Sequence, residues 1–369
     1  MRALQAVSCT IVLSAVLSVW RLAAAAEVKP AGQAEWERTL DAAKKEGVVL
    51  VAGPPGAYRR TPLVESFEKA FPGIKVEYTP IAGAKFVPRL KLERAAGQYL
   101  WDVHVGGTTS AITLMDEGYL APIVPALILA EVREPKNWWL GRLHFADDGS
   151  RHILAFQGAS GSRLAINTNL VDPKEIKSYW DVLQSKWRGK IGMTSPTHAG
   201  TGLAGATFFY MQKGLGPEFL KKLLTETKVV LFDDSVRLAE EVARGKLAIG
   251  VQVPEADTLR YAKEKLPIRG HPRLQEGGYL SPGFGSVTLI DRAPHPNAAK
   301  VYINWLASRD GQTAYSKGDK TPSFRADVPP EESLADVVPR EGDLPNYKEE
   351  YVRKKDEVMG FVRKILGRD

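Results

Sequence analysis

The stretch Ala155-Phe156-Gln157-Gly158-Ala159-Ser160-Gly161-Ser162-Arg163-Leu164-Ala165-Ile166-Asn167 decides how the rest of the chain is read. Two short apolar runs flank five residues that are all glycine, alanine or serine. That is the pattern of strand, small-residue joint, strand. Glycine and serine in such a joint permit uncommon φ/ψ and close backbone approach, and they leave amide N–H groups free to meet a ligand. Locally, the same residues would also make an ordinary surface hairpin. The segments on either side choose between a hairpin and a passage joining two bodies.

Upstream, strands alternate with helices. Trp36 to Glu46 has helical apolar spacing and Gly47 stops it. Val48 to Val51 reads as a buried strand. It runs into the loop Gly53 to Arg60, ahead of a helix from about Thr61 to Phe71 and a strand from Ile74 to Tyr78. A helix at Lys85 to Ala96, a strand at Asp102 to Val105 and the loop Gly106 to Thr109 continue the series. Downstream, strands at Lys190 to Met193, Val229 to Phe232 and Leu247 to Val251 alternate with helices at Gly202 to Met211, Pro217 to Leu224 and Val236 to Arg244. This α/β alternation on both sides predicts mainly parallel sheets flanked by helices, and makes 155–167 a passage between two lobes. The tail adds a flexible run, Gly277 to Gly285, then a strand, Ser286 to Ile290, two helices, a Pro-rich acidic link, and a basic helix from Tyr347 to Leu366.

Composition narrows the class. Arg2, the apolar run to Trp20 and Ala23 to Ala26 form the pattern of a secretory signal peptide over residues 1–26, with cleavage before Glu27. The single cysteine, Cys9, falls inside it, so the exported chain is expected to depend on its core rather than on disulfides. Losing Arg2 and Arg21 lowers the formal charge from +7 to +5, and no run of five or six basic residues remains, which argues against nucleic acid.

In open α/β sheets, ligands bind beyond the carboxyl ends of strands, at helix N-termini. Tyr58, Arg59 and Arg60 in one such loop, and Gly107 and Thr108 in another, are therefore candidate ligand contacts, with arginine suited to a bidentate grip on carboxylate or phosphate. Gly200-Thr201-Gly202-Leu203-Ala204-Gly205 matches G-x-G-x-x-G in form but lacks the tight strand-to-helix turn of a dinucleotide site. What it offers is a bare helix start, so Thr197, Gly200 and Thr201 are candidates for an anion. Asp234 and Ser235 precede a helix, where capping is their obvious work and a ligand contact the alternative. The run Gly158 to Ser162 also resembles a serine-hydrolase elbow around Ser160, but a strand follows it instead of a helix. The six histidines, His104, His144, His152, His198, His271 and His295, never fall in metal-binding spacing. His104, inside a strand, reads as a hydrogen-bonded core histidine.

Taken together, Glu46 to Leu50, Phe71 to Val76, Asp102-Val103, Asn167 to Val171, Trp180 to Leu183, Trp187 to Gly192, and Ala293 to Lys300 with Trp305-Leu306 and Gly311-Gln312 resemble type II periplasmic solute-binding proteins of ABC transporters. The branch is the one that includes ferric-ion, phosphonate, thiamine and polyamine binders. The resemblance implies two lobes, 27–154 with 278–338 and 155–277 with 339–369, joined by crossing strands at Ala155 to Asn167 and Gln275 to Gly285. It implies cleft contacts from Ser160, Gly161, Ser162 and Gln252 in addition to the loops above, a membrane permease as partner, and a monomer with no cofactor. Ferric members would carry a histidine, a glutamate and two adjacent tyrosines where this chain has Pro54-Pro55, Gly106-Gly107 and Gln252 to Glu255. An organic anion such as a carboxylate or phosphate ester is accordingly the expected solute, with a ferric ion or metal chelate, or an exported serine hydrolase, as alternatives.

Overall fold

A computed structural model describes residues 32–198 and 200–368, so the signal peptide inferred over residues 1–26 lies outside it. The first unit opens with α1 (Gln33–Glu46), β1 (Val48–Gly53), α2 (Ala57–Ala70), β2 (Lys75–Pro80), α3 (Gly83–Ala95), β3 (Val103–Gly106) and α4 (Thr108–Asp116). Gly47, at φ 71°, closes α1 and donates its N–H to the Ala43 carbonyl, turning the chain directly into β1. Short pieces follow: β4 (Leu120–Ala121), α5 (Ala130–Arg133), β5 (His144–Phe145), β6 (Leu154–Ala155) and β7 (Ala159–Gly161).

The second unit contains β8 (Leu164–Asn167), β9 (Ile191–Thr194), α6 (Thr201–Met211), α7 (Gly216–Glu226), β10 (Val230–Phe232), α8 (Ser235–Ala243), β11 (Ile249–Val251), α9 (Glu255–Lys263) and β12 (Ile268–Gly270). The chain returns through β13 (Tyr279–Ser281), β14 (Ser286–Ile290), α10 (Pro296–Ala307) and α11 (Arg309–Asp319). It ends with β15 (Leu344–Pro345) and α12 (Glu349–Ile365).

Three sheets result. The first has the order β2-β1-β3-β14-β6-β5, with β4 beside β14; the second has the order β10-β9-β11-β8-β12. Neither is wholly parallel. β1 runs parallel to β2 and β3, and β9 parallel to β10 and β11, as the alternation predicts. The strands next to the passages run the other way: β14 is antiparallel to β3 and β6, and β8 to β11 and β12. They arrive from the other unit rather than through a covering helix, so nothing imposes the parallel crossover.

The third sheet, β15-β13-β7, is the joint itself. Ser160 pairs with Leu280 and Gly161 with Tyr279, which makes the opening stretch and the Gly277 to Gly285 run antiparallel partners. β15 adds a third passage, parallel to β13. A core holding Val49, Val51, Phe67, Phe86, Tyr302 and Trp305 fills the first lobe. The second sheet has a core on each face, one around Phe208, Phe209, Phe219 and Val358, the other around Leu238, Val242 and Tyr261. Ala155, Phe156, Leu280 and Tyr347 belong to the first core, whereas Tyr279, Val358 and Val362 belong to the second, so the change of lobe happens within the small sheet.

Candidate functional site

β1 and β3 end at the starts of α2 and α4, and β9 ends in the loop before α6. All three helices have glycine at the N-cap, Gly56, Gly107 and Gly200, and no side chain caps them. By contrast α8 is capped by Asp234, α11 by Ser308, and Glu46 receives the Asn297 and Ala298 amides at the start of α10. The glycine-capped ends therefore present first-turn amides that no side chain satisfies.

Tyr58, Arg59 and Arg60 stand in the first turn of α2, which begins at Ala57 rather than Thr61. Pro62 lies inside the helix and cannot donate to the Tyr58 carbonyl, and Gly318 of α11 packs on that carbonyl: a Cβ there would lie 2.5 Å from it. This close approach brings Asp319, at the end of α11, onto Arg59 Nε. An arginine at a helix N-terminus and an aspartate at a helix C-terminus each oppose the local dipole, and pairing relieves both. Gln157 Nε2 donates to the same carboxylate at 2.6 Å, and the Arg59 guanidinium lies 4.6 Å from the Tyr58 ring centroid and 4.7 Å from that of Phe284. Arg59 thus has its charge matched within the chain, while the exposed Arg60 side chain has no ion-pair or hydrogen-bond partner among the described residues. Tyr78, whose hydroxyl donates to the Pro54 carbonyl at 2.7 Å, has its pKa pushed well up by burial, with Arg59 and Arg60 acting against the rise.

Gly107 and Thr108 begin α4, with Gly283 of the second passage alongside: a Cβ on Gly107 would lie 3.4 Å from the Gly283 carbonyl. Across the joint, Ser160 is buried with no partner for its hydroxyl and is wedged against Gly278, where a Cβ would sit 2.2 Å from Ser160 Oγ. No histidine serves it as a base. Gly161 is held in the small sheet, and Ser162 Oγ donates to the His271 carbonyl at 2.8 Å while the Ser162 carbonyl accepts from the Tyr179 hydroxyl. These serines therefore shape the joint.

On the second lobe, Gly202 and Gly205 have steric work. A Cβ on Gly202 would lie 2.1 Å from the Ser195 carbonyl, and one on Gly205 would lie 1.9 Å from Gln252 Cδ. Gln252 is buried, left-handed at φ 63°, and its Nε2 has no partner. Thr197 shares a hydrogen bond with Ser195, and its carbonyl accepts from Arg363 of α12; Gly200 and Thr201 follow at the helix start. Asp234 and Ser235 are drawn elsewhere. Asp234 accepts from the Arg237 amide at 2.7 Å and lines a groove along β10 with Glu241 and Lys246, while Ser235 donates to Asp257. Glu255, at the start of α9, is pushed up in pKa by burial, with Arg163 pulling it down.

His104 corrects the expectation of a hydrogen-bonded core residue. It is fully buried and stacked on Phe86, and neither ring nitrogen has a partner. Among the described residues no group of three or more His, Cys, Asp or Glu could hold a metal ion. Asp319 was not a candidate in the sequence, since it meets Arg59 from α11, 260 residues away, and Gln157 and Phe284 were read as parts of the two passages, without a contact to Arg59.

The family profile for bacterial extracellular solute-binding proteins matches residues 62–339, and the chain belongs to that family. Its structure is similar to Trichodesmium FutA (IdiA) in complex with iron and citrate, at a TM-score of 0.66 and 18% identity, covering 86% of this chain and 99% of that one. Iron-bound HitA from Pseudomonas aeruginosa matches at 0.63 and 19%, covering 86% and 99%. AfuA from Actinobacillus pleuropneumoniae, with fructose-6-phosphate bound, matches at 0.58 and 17%, covering 88% and 100%. These likenesses establish the two-lobed periplasmic-binding-protein fold. A Haemophilus influenzae protein described as uncharacterized is 27% identical over 200 residues, 52% of this chain, and the match spans about half, 53%, of that relative's length.

Proposed function

We propose that this protein captures a small organic anion, a carboxylate or phosphate ester, between its two lobes and hands it to an ABC permease without chemical change. The observation that carries the proposal is the set of three glycine-capped helix starts, at Gly56, Gly107 and Gly200, placed at the ends of β1, β3 and β9 and drawn from both lobes. Unsatisfied amides and the positive end of the helix dipole favour negative charge. Arg60 adds an exposed cation at the first of them. The neighbours with citrate and with fructose-6-phosphate bound are consistent with such chemistry on this fold. A bare ferric ion needs several hard anionic oxygens, and the loop positions after β1, β3 and β11 supply Glu255 as the one carboxylate.

Closure of the lobes would provide the differential affinity, because contacts from both sides form together only in the closed state. Mass spectrometry of material released by denaturing the purified protein, together with metal analysis, tests the reading. A stoichiometric carboxylate or phosphate ester is expected. Stoichiometric iron with no organic ligand, or hydrolysis of an ester that Ser160→Ala abolishes, would overturn it.

A further inference from the structure

The C-terminal helix α12 touches both lobes. At its start, the Glu349 amide donates to the Ala146 carbonyl at 2.8 Å and the Glu349 carboxylate accepts from the Asp148 amide at 2.9 Å. Toward its end, Val358 and Val362 are buried in the second lobe's core and Arg363 donates to the Thr197 carbonyl at 3.0 Å. Between them, Lys355 Nζ donates to Thr109 Oγ1 at 3.0 Å. Thr109 is the second residue of α4, so one helix links the loop after β3 to the loop after β9.

Lys355 differs from its basic neighbours on the helix. Arg353 pairs with Asp116 and Glu349, and Lys354 with Glu357. Lys355 has a neutral hydroxyl as its partner. It is half-buried, and burial pushes its ammonium below the ordinary lysine range with no carboxylate acting against that. A cation withdrawn from water without an acid is costly, and the uncapped start of α4 adds positive potential. Among the described residues no carboxylate pairs with it, so an anion from solution would meet a cation whose charge the chain leaves unmatched.

We infer that Lys355 is the cationic contact for the solute, the anionic group being held among Lys355 Nζ, the Thr109 hydroxyl and the first amides of α4. The helix α12 is thereby a third wall of the binding site. This rests on the anion-capture reading above and names the side chain that recognises the charge.

Isothermal titration of the exported protein with citrate, inorganic phosphate and a hexose phosphate tests it in three variants. Lys355→Met retains the buried stem and removes the charge; it should weaken the anion that wild type binds at least tenfold. Lys354→Met, which breaks only a surface pair, should stay within about twofold. Thr109→Glu, at an exposed position, puts a carboxylate of the protein beside Lys355 and should abolish binding while the apo melting temperature holds. Wild-type affinity in Lys355→Met or in Thr109→Glu would overturn the assignment of Lys355 while leaving anion capture standing. Failure of wild type itself to bind any of the three anions would overturn both.

Discussion

His104 and His144 are buried bases of the first lobe, and each is pushed down to about 4 by desolvation, from an ordinary value of 6.5. His144 keeps contacts with the Tyr347 hydroxyl and the Trp139 carbonyl, whereas His104 has only its stack on Phe86. A base whose folded pKa lies below its unfolded one binds its proton more readily unfolded. Its stabilising contribution is therefore full above pH 6.5 and is lost as pH falls toward 4, by about 3 kcal/mol per histidine at the lower limit. Urea unfolding across this window should show the decline, and His104→Leu should flatten it. An unchanged pH profile in that variant would mean that His104 is not held neutral by the fold. That a histidine in a strand is buried could be read from its apolar neighbours. That it lacks partners could not, because the absence depends on Phe86 and on Gly106, where a Cβ would stand 2.4 Å from His104 Nε2. Arg59 makes the same point: its charge partner, Asp319, is 260 residues away.

Among the elements, α6 and α12 show what a helical glycine is for. Gly205 gives room to Gln252, the residue after β11, whose Cδ would lie 1.9 Å from an added Cβ, while Gly360 in α12 has no atom within 4 Å of that position. Alanine gains about 1 kcal/mol over glycine in a helix interior through propensity alone. Gly360→Ala should therefore stabilise by roughly 0.5–1 kcal/mol. Gly205→Ala meets overpacking of about 1–3 kcal/mol, which outweighs the propensity gain and should leave a net loss. Equilibrium denaturation of both variants checks the contrast, and equal effects of the same sign would contradict it. The G-x-G-x-x-G resemblance thus has a steric origin here. Its bare helix start was legible from composition, but the packing role of Gly205 needed the position of Gln252.

For the whole molecule, the alternation of strand and helix on either side of Ala155 to Asn167 marks that stretch as a passage, while the passage at Gln275 to Gly285 follows from the resemblance to periplasmic solute-binding proteins. The third passage is implied by the lobe bounds at 338 and 339, but its strand is not legible, because β15 is two residues, Leu344 and Pro345, within a Pro-rich acidic stretch that carries no strand periodicity. The same holds for the course of α12. Its basic face was legible, but the helix crosses between lobes only because β15 delivers it at the joint, and Lys355 meets Thr109 over a separation of 246 residues. Small-residue joints and helix starts are written locally, so Gly107, Gly161 and Gly200 could be singled out; the ion pairs and passages that set what surrounds them are long-range.

Three short passages in one small sheet form a joint about which two separately cored lobes can pivot, with the glycine-capped helix starts on either side. Small-angle X-ray scattering of the exported protein, with and without a saturating amount of the solute recovered from it, tests this most directly. The radius of gyration should fall on addition of an anionic solute and return when the solute is removed by refolding or dialysis. Stoichiometric binding with an unchanged radius of gyration, or a recovered solute that carries no negative charge, would contradict capture of an anion by closure of the lobes.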